Sequence, residues 1–483
     1  MSWLVILGLL PLIGAVAAAL VKGRLRGIIG LVFAVITLVV AIGVTTVRDT
    51  QTIAHNWIPQ VGAWFALRMD GLSALLVLVS AVLVVAVGVF KLTTNSDTAP
   101  SFTPLALALE GLALFTFLAD DALLFFLFFE ATLVPMYFLI AAGGDPKRSS
   151  SALKFLLYSL AGGLVLLGGI VYLMVVGSGL RFDDLAKLAL TPVAQQVLFV
   201  VFFIAFAVKA PLVPLHPWLP DAVQHGQPTA SVLLVGLLDG IGLYGMVRFC
   251  LGVTPVGANW ASFAVEIVAV VSIVYGALAA VASHSLLRLV AYASISHAGF
   301  MVLGLFAFSQ ASMVGAMTYV AAHALSAGAL LLVVACVVAR RGDSLDQPRF
   351  GGLARSAPVL AGVFLVAGLA TLALPGTANF AAELAVIVGA WAAHPVITAI
   401  SLIGVLAAGV YVLWTYQRIF TGSGTGTQDE SAEPVEPVRD IGGVARLAIG
   451  LLLAGVLILG FYPAPAQHLV TPVAQALSVG QGG

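Results

Sequence analysis

The sequence predicts an all-α polytopic membrane protein of about fourteen transmembrane helices, with two inverted five-helix repeats that each contain a discontinuous helix. Three observations predict it. Hydrophobic residues are 61% of the 483 and charged residues only 9%, whereas soluble domains carry about 25% charged residues. The apolar segments are long enough to cross a bilayer, which takes about 20 helical residues. Two of those segments are interrupted at corresponding positions, the sequence mark of a transport site between internal repeats. A mean hydropathy of +1.12 excludes a soluble enzyme, and a net charge of zero with no basic stripe offers nothing to nucleic acid.

The segments fall near 3–21, 27–47, 69–90, 102–118, 122–142, 152–176, 194–215, 229–250, 259–282, 285–307, 311–338, 358–391, 396–418 and 442–462. The first is followed, not preceded, by Lys22, Arg24 and Arg26, so it reads as an uncleaved span and not as a signal peptide. Residues 1–101 form three N-terminal helices. Residues 102–250 form the first repeat (helices 4–8) and 259–418 the second (helices 9–13), while 419–483 hold a polar loop and the last span. Pro211 and Pro214 interrupt 194–215, and Pro375-Gly376 interrupts 358–391, because proline removes a helical donor and clashes with the preceding turn. The stretch GSGTGTQDESAEPVEPVRD (422–440) is a loop. Thirteen lysines and arginines in odd loops against five in even loops place both termini outside. Cys250 and Cys336 lie in apolar runs without CxxC spacing and read as core residues.

Polar residues that lipid cannot solvate point to an ion path. Lys209 ends the apolar run of VLFVVFFIAFAVKAPLVPLHPWLP beside its prolines. Intramembrane charges are costly and face protein or a water-filled cavity, and irregular backbone at that depth needs the same shelter. Glu130 follows Asp120 and Asp121 by about ten residues, or about 15 Å of helix. It needs a cation from another helix, and Lys209 is the candidate. Such a pair is either a proton device, in which each charge biases the other, or a static bridge that sets helix register. Asp239 in VLLVGLLDGIGLYGMVRF is either a relay member or a polar residue bonded to a neighbouring helix. His297 and His323, with Ser294, Ser296 and Ser326 nearby, suit proton relay because imidazole titrates near neutrality. Glu383 stands eight residues after Pro375, on the second half of a broken span. Glu110 and Glu266 lie within apolar runs, where each lines the interior or faces an adjoining subunit.

The motifs FFLFFEATLVPMYFLI, KAPLVPLHPWLPDAVQHGQPTASVLL, LRLVAYASISHAGF, AAHALSAGALLL and LPGTANFAAELAV resemble the antiporter-like subunits of respiratory complex I, the proton-pumping NADH:quinone oxidoreductase. Within that family the chain is most similar to the M type. VPMYFLI after the glutamate, and a glutamate instead of a lysine on the second broken helix, favour it. The long lateral C-terminal helix expected of the L type has no counterpart before residue 483. The resemblance runs in order from the fourth segment to the thirteenth.

The resemblance implies that Glu130 and Lys209 form the ion pair of a first half-channel, that His297 and His323 belong to a connecting hydrophilic axis, and that Glu383 ends a second half-channel. It places His216 and Asp221 beside the first broken helix. The family's central lysine on the eighth helix aligns with Gly240, so this chain departs from the pattern there. Asp239, one residue earlier, points about 100° away around a helix. The implied coupling is indirect. Redox chemistry belongs to partner subunits with FMN, Fe–S clusters and quinone, and this chain carries no flavin, Fe–S or nicotinamide motif. Separation of Glu130 from Lys209 would make Lys209 release its proton along the axis toward Glu383. The implied setting is a bacterial plasma membrane, beside L- and N-type subunits. Two other roles share the module: a subunit of a Mrp-type Na+/H+ antiporter or membrane-bound hydrogenase, and a non-conducting scaffold of the membrane arm.

Overall fold

A computed structural model of the chain describes residues 2–46, 51–93, 101–143, 145–345, 351–421 and 438–479. Arg48, Arg349 and most of the acidic stretch 422–440 lie outside the described residues. In chain order the elements begin with α1 (Trp3–Leu20), α2 (Arg24–Thr46), β1 (Gln51–Ile58), β2 (Ala63–Met69), α3 (Gly71–Lys91) and α4 (Phe102–Leu118). Then come α5 (Ala122–Ala131), α6 (Leu133–Ala141), α7 (Arg148–Val176), α8 (Phe182–Leu185), α9 (Pro192–Lys209) and α10 (Trp218–His225). The next span combines α11 (Pro228–Leu233) and α12 (Asp239–Gly245) with two π-helical turns, Leu234–Leu238 and Met246–Leu251. The rest comprises α13 (Pro255–Val281), α14 (Leu286–Phe306), α15 (Gln310–Arg341), α16 (Leu353–Ser356) and α17 (Pro358–Thr371). It ends with α18 (Ala378–Ala393), α19 (Pro395–Phe420), α20 (Gly443–Phe461) and α21 (Ala464–Val479).

The chain is a helical membrane protein. Among the described residues, twelve helices are long and apolar enough to cross a membrane, and α4, α17 and α18 are shorter apolar helices. The expected segment 358–391 is the α17–α18 pair, split where Ala373 and Gly376 adopt positive φ (61° and 95°). Burial sorts the helices. The 228–251 span is wholly buried and α14 and α15 nearly so, whereas α2 exposes most of its apolar surface. The inner three therefore carry polar side chains that lipid never meets, and the outer ones supply the lipid-facing coat.

Three features lay outside the sequence reading. An antiparallel hairpin, β1–β2, pairs Gln51 with Met69 through Asn56 with Trp64. Its second strand is tied to the start of α5, where Asp121 caps the helix by accepting from Leu123 and Leu124 N–H (2.9 and 3.0 Å) and from Trp64 N–H (2.9 Å). Arg68 of the hairpin grips Asp183 with two guanidinium hydrogen bonds and lies 3.2 Å from Asp120, which Arg181 also holds at 3.1 Å. The Arg68 hydrogen bonds hold the Asp183 carboxyl below its ordinary range. Second, the expected single span 122–142 comprises two helices, α5 and α6, that meet at Thr132, two residues beyond Glu130. Third, α21 follows the last expected span. Its backbone passes so close to the start of α3 that a Cβ at Gly71 would lie 1.6 Å from Leu469 O, and only glycine permits that approach.

Candidate proton-transfer site

The first broken helix stops because Pro211 and Pro214 cannot donate, and its freed groups find partners nearby. Trp218 Nε1 donates to Val208 O (2.9 Å), and Val213 N–H donates to Ser272 Oγ of α13 (3.0 Å). Satisfied in this way, irregular backbone is tolerated at membrane depth. The break leaves Lys209 as the last residue of α9, 1% exposed, with Nζ 5.1 Å from the Phe129 ring centroid and 5.4 Å from that of Phe155. Aromatic faces attract a cation at such distances.

Glu130 lies in the last turn of α5 with its carboxylate against α7. A Cβ at Gly163 would lie 1.9 Å from Glu130 Oε1, so the missing side chain there is what seats the carboxylate. Glu130 and Lys209 act on one another electrostatically. They are not clasped, however, since Lys209 Nζ has no hydrogen-bond partner among the described residues. A cation left free of a fixed clasp can change partners, which a locked register-setting bridge cannot.

Asp239 is the second carboxylate that acts on Lys209. Two faces of its helix explain the aim. Gly242 packs on the broken end of α9, where its Cβ would lie 2.7 Å from Ala210 N and 3.1 Å from Lys209 C. Gly245 packs likewise on the Phe206 ring of α9. Residues three apart share a helix face, so Asp239 stands on the face turned to α9. Gly240 is on a different face, toward Val320 of α15 at 3.2 Å, and Gly236 approaches Ala324 O of α15 at 3.3 Å. The roughly 100° between adjacent residues therefore turns Asp239 toward Lys209 and leaves Gly240 beside the helix that carries His323.

A second group of titratable residues gathers where α14, α15 and α18 meet. The rings of His323 and His297 (α14) are 5.1 Å apart between centroids. His297 Nδ1 lies 2.8 Å from the Tyr319 hydroxyl, which donates to Glu383 Oε2 of α18. With its hydrogen on Glu383, the phenol oxygen accepts from His297 Nδ1–H. Three of the expected residues, His323, His297 and Glu383, are thus drawn together once Tyr319, missed in the sequence, is added. Tyr319 precedes His323 by four positions, one helical turn on the same face, and that spacing was the available signal.

The remaining candidates are placed differently. His216 lies in the break with its ring 4.9 Å from that of Tyr275. Asp221 is held by Lys154 Nζ (2.7 Å) and Arg288 (3.0 Å), and His225 Nδ1 meets Ser151 Oγ at 2.8 Å. Asp221 is therefore an ion-pair anchor between α7, α10 and α14. Glu110 is fully buried in α4, and neither carboxylate oxygen has a hydrogen-bond partner among the described residues. Glu266 is covered by His394, whose Nδ1 lies 2.7 Å from Glu266 Oε2.

A model of the NADH:quinone oxidoreductase/Mrp antiporter transmembrane family matches residues 119–409. The chain belongs to that family. The matched stretch runs from the turn before α5 into α19, so it takes in Glu130, Lys209, Asp239, His297, His323 and Glu383. NADH-quinone oxidoreductase subunit M of Mycobacterium tuberculosis is 35% identical over 525 aligned residues, covering 98% of this chain and 93% of that protein. Subunit M of Pseudomonas aeruginosa is 36% identical, covering 86% of this chain and 82% of its own length. A chain of respiratory complex I from Thermus thermophilus superposes with a TM-score of 0.90 at 29% identity, covering 99% and 100% of the two chains. A chain of the Mrp complex from Dietzia superposes at 0.87 with 21% identity, covering 99% and 98%, a likeness of fold alone. These relatives bear out the resemblance drawn from the motifs.

Proposed function

We propose that this family member is a membrane-arm subunit of proton-pumping NADH:quinone oxidoreductase and translocates protons as electrons pass from NADH to quinone in other subunits. One observation carries the reading. Titratable groups gather at the two broken helices: the half-buried Glu130 with buried Lys209 and Asp239 at the first, and buried His323, His297, Tyr319 and Glu383 at the second. Membership of the family and the subunit M relatives support it. The relatives favour complex I over the Mrp-type setting, which shares the fold. A scaffold without conduction has no use for charges placed at this cost.

In this reading the residues 102–250 and 259–418 are two repeats, each contributing one broken helix. Glu130, paired with Lys209, takes protons from one side, the two histidines pass them along α14 and α15, and Glu383 delivers them through the second break. FMN, Fe–S clusters and quinone belong to the partner subunits, and L- and N-type subunits flank this one in a bacterial plasma membrane with both termini outside. A conformational or electrostatic signal from a neighbour acts on the Glu130–Lys209 pair.

Two results are expected. In the assembled complex, Lys209→Ala and Glu130→Ala each lower the protons moved per NADH oxidised, measured by dye quenching in inverted membrane vesicles against NADH consumption. Unchanged stoichiometry in both would end the proposal. Tyr319→Phe leaves His297 Nδ1 and Glu383 Oε2 without their shared partner, at about 1–3 kcal/mol for each unsatisfied group. It is expected to lower proton stoichiometry with the electron-transfer rate less affected. Wild-type stoichiometry in this variant would remove the phenol from the group.

A further inference from the structure

We propose that Lys209 is a mobile cation shared by two carboxylates, Glu130 on α5 and Asp239 on α12, and that its exchange between them carries protons past the position where Gly240 stands. The proposal rests on the proton-translocation reading above and supplies its central step.

Lys209 sits at a helix end, where the break frees its side chain from the next turn, and its Nζ faces two aromatic rings at 5.1 and 5.4 Å. Neither seat clasps it. Its Nζ, Glu130 Oε1 and both Asp239 oxygens have no hydrogen-bond partner among the described residues. Glycines hold both carboxylates in place: Gly163 leaves room for Glu130, while Gly242 and Gly245 let α12 lie against α9 with Asp239 on the contacting face. On the adjoining face, Gly236 and Gly240 bring the same helix against Val320 and Ala324, which flank His323. The helix that carries Asp239 thus stands between Lys209 and the helix that carries His323.

One cation neutralises one carboxylate, and an uncompensated buried charge is strongly unfavourable. The carboxyl without the ammonium therefore carries a proton. When Lys209 leans on Glu130, Asp239 is the protonated acid. As the ammonium moves to Asp239, that proton departs toward His323 and Glu130 takes one from its own side. On return, the Glu130 proton passes to Asp239 and the starting state is restored. One proton enters at Glu130 and one leaves from Asp239 per cycle. Lys209 keeps its own protons throughout, unlike a lysine that releases one along the axis.

The test uses the assembled complex in inverted membrane vesicles, with proton stoichiometry per NADH as readout and native gels to verify assembly. Asp239→Asn is expected to remove the same share of stoichiometry as Lys209→Ala, and the double variant to lose no more than either alone, since residues that act as a unit are not additive. Asp239→Glu is expected to restore at least half of that share. Lys209→Arg is expected to retain most of it, because a guanidinium cannot be deprotonated in a protein but can change partners. Wild-type stoichiometry in Asp239→Asn while Lys209→Ala is impaired would overturn the exchange, and so would a Lys209→Arg complex that assembles but pumps no better than Lys209→Ala. A silent Lys209→Ala would instead overturn the translocation reading, and this step with it.

Discussion

Replacing Gly163 by alanine is expected to lower proton stoichiometry as far as Glu130→Ala does, although no charge is removed. The new Cβ would lie 1.9 Å from Glu130 Oε1 and 2.4 Å from Cδ, closer than any real contact. The obstacle is the far end of a flexible side chain, so the strain is relieved by moving the carboxylate and not by parting the helices. The effect therefore falls on function more than on assembly. A displacement of about 1 Å at a reacting group can cost about a hundredfold in rate. Gly168→Ala on the same helix is the control, since a Cβ there meets nothing within 4 Å. Stoichiometry per NADH with native-gel quantities separates the two variants. Equal pumping in both would show that Glu130 is not held where α7 seats it.

Gly242→Val is expected to act the other way round, with assembly failing first. Here the obstacle is backbone: Ala210 N at 2.7 Å and Lys209 C at 3.1 Å. Neither can rotate aside, so α12 must leave α9. Overpacking of a closed core costs about 1–3 kcal/mol, and the β-branched side chain extends the clash. The shift also carries Asp239 away from Lys209, since both glycine and aspartate lie on that face. Reduced complex on native gels, with a lowered thermal midpoint, is the expected result. Full assembly and full pumping would mean that the contact between α9 and α12 is not needed in the membrane.

Much of this molecule was legible beforehand. The broken helices were visible because proline acts locally, through a missing donor and a steric clash that need no tertiary context. Glu130, Lys209, His297, His323 and Glu383 were visible because a polar residue inside an apolar run demands an explanation at membrane depth. The β1–β2 hairpin was not, since its strands lie between two spans in a stretch that hydropathy leaves unmarked. The junction of α5 and α6 at Thr132 escaped as well, because an apolar run reads the same whether it forms one helix or two.

Side-chain partners were harder to read, and the reason is burial. Where one face of a helix meets lipid and the other protein, periodicity reveals which residues look inward. The 228–251 span is buried on all sides, so its sequence carries no such stripe, and it did not tell which neighbouring helix Asp239 and Gly240 each face. Glycine contacts decide between them, sending Asp239 to α9 and Gly240 to α15. Tyr319 passed as an ordinary aromatic because only packing of α14, α15 and α18 sets its hydroxyl between His297 and Glu383. Composition and proline chemistry by themselves determined a polytopic helical membrane protein with two broken spans and costly charges within them. Only the tertiary structure decided which charge faces which, because that depends on how close two backbones come, and here glycines on neighbouring helices set the distance.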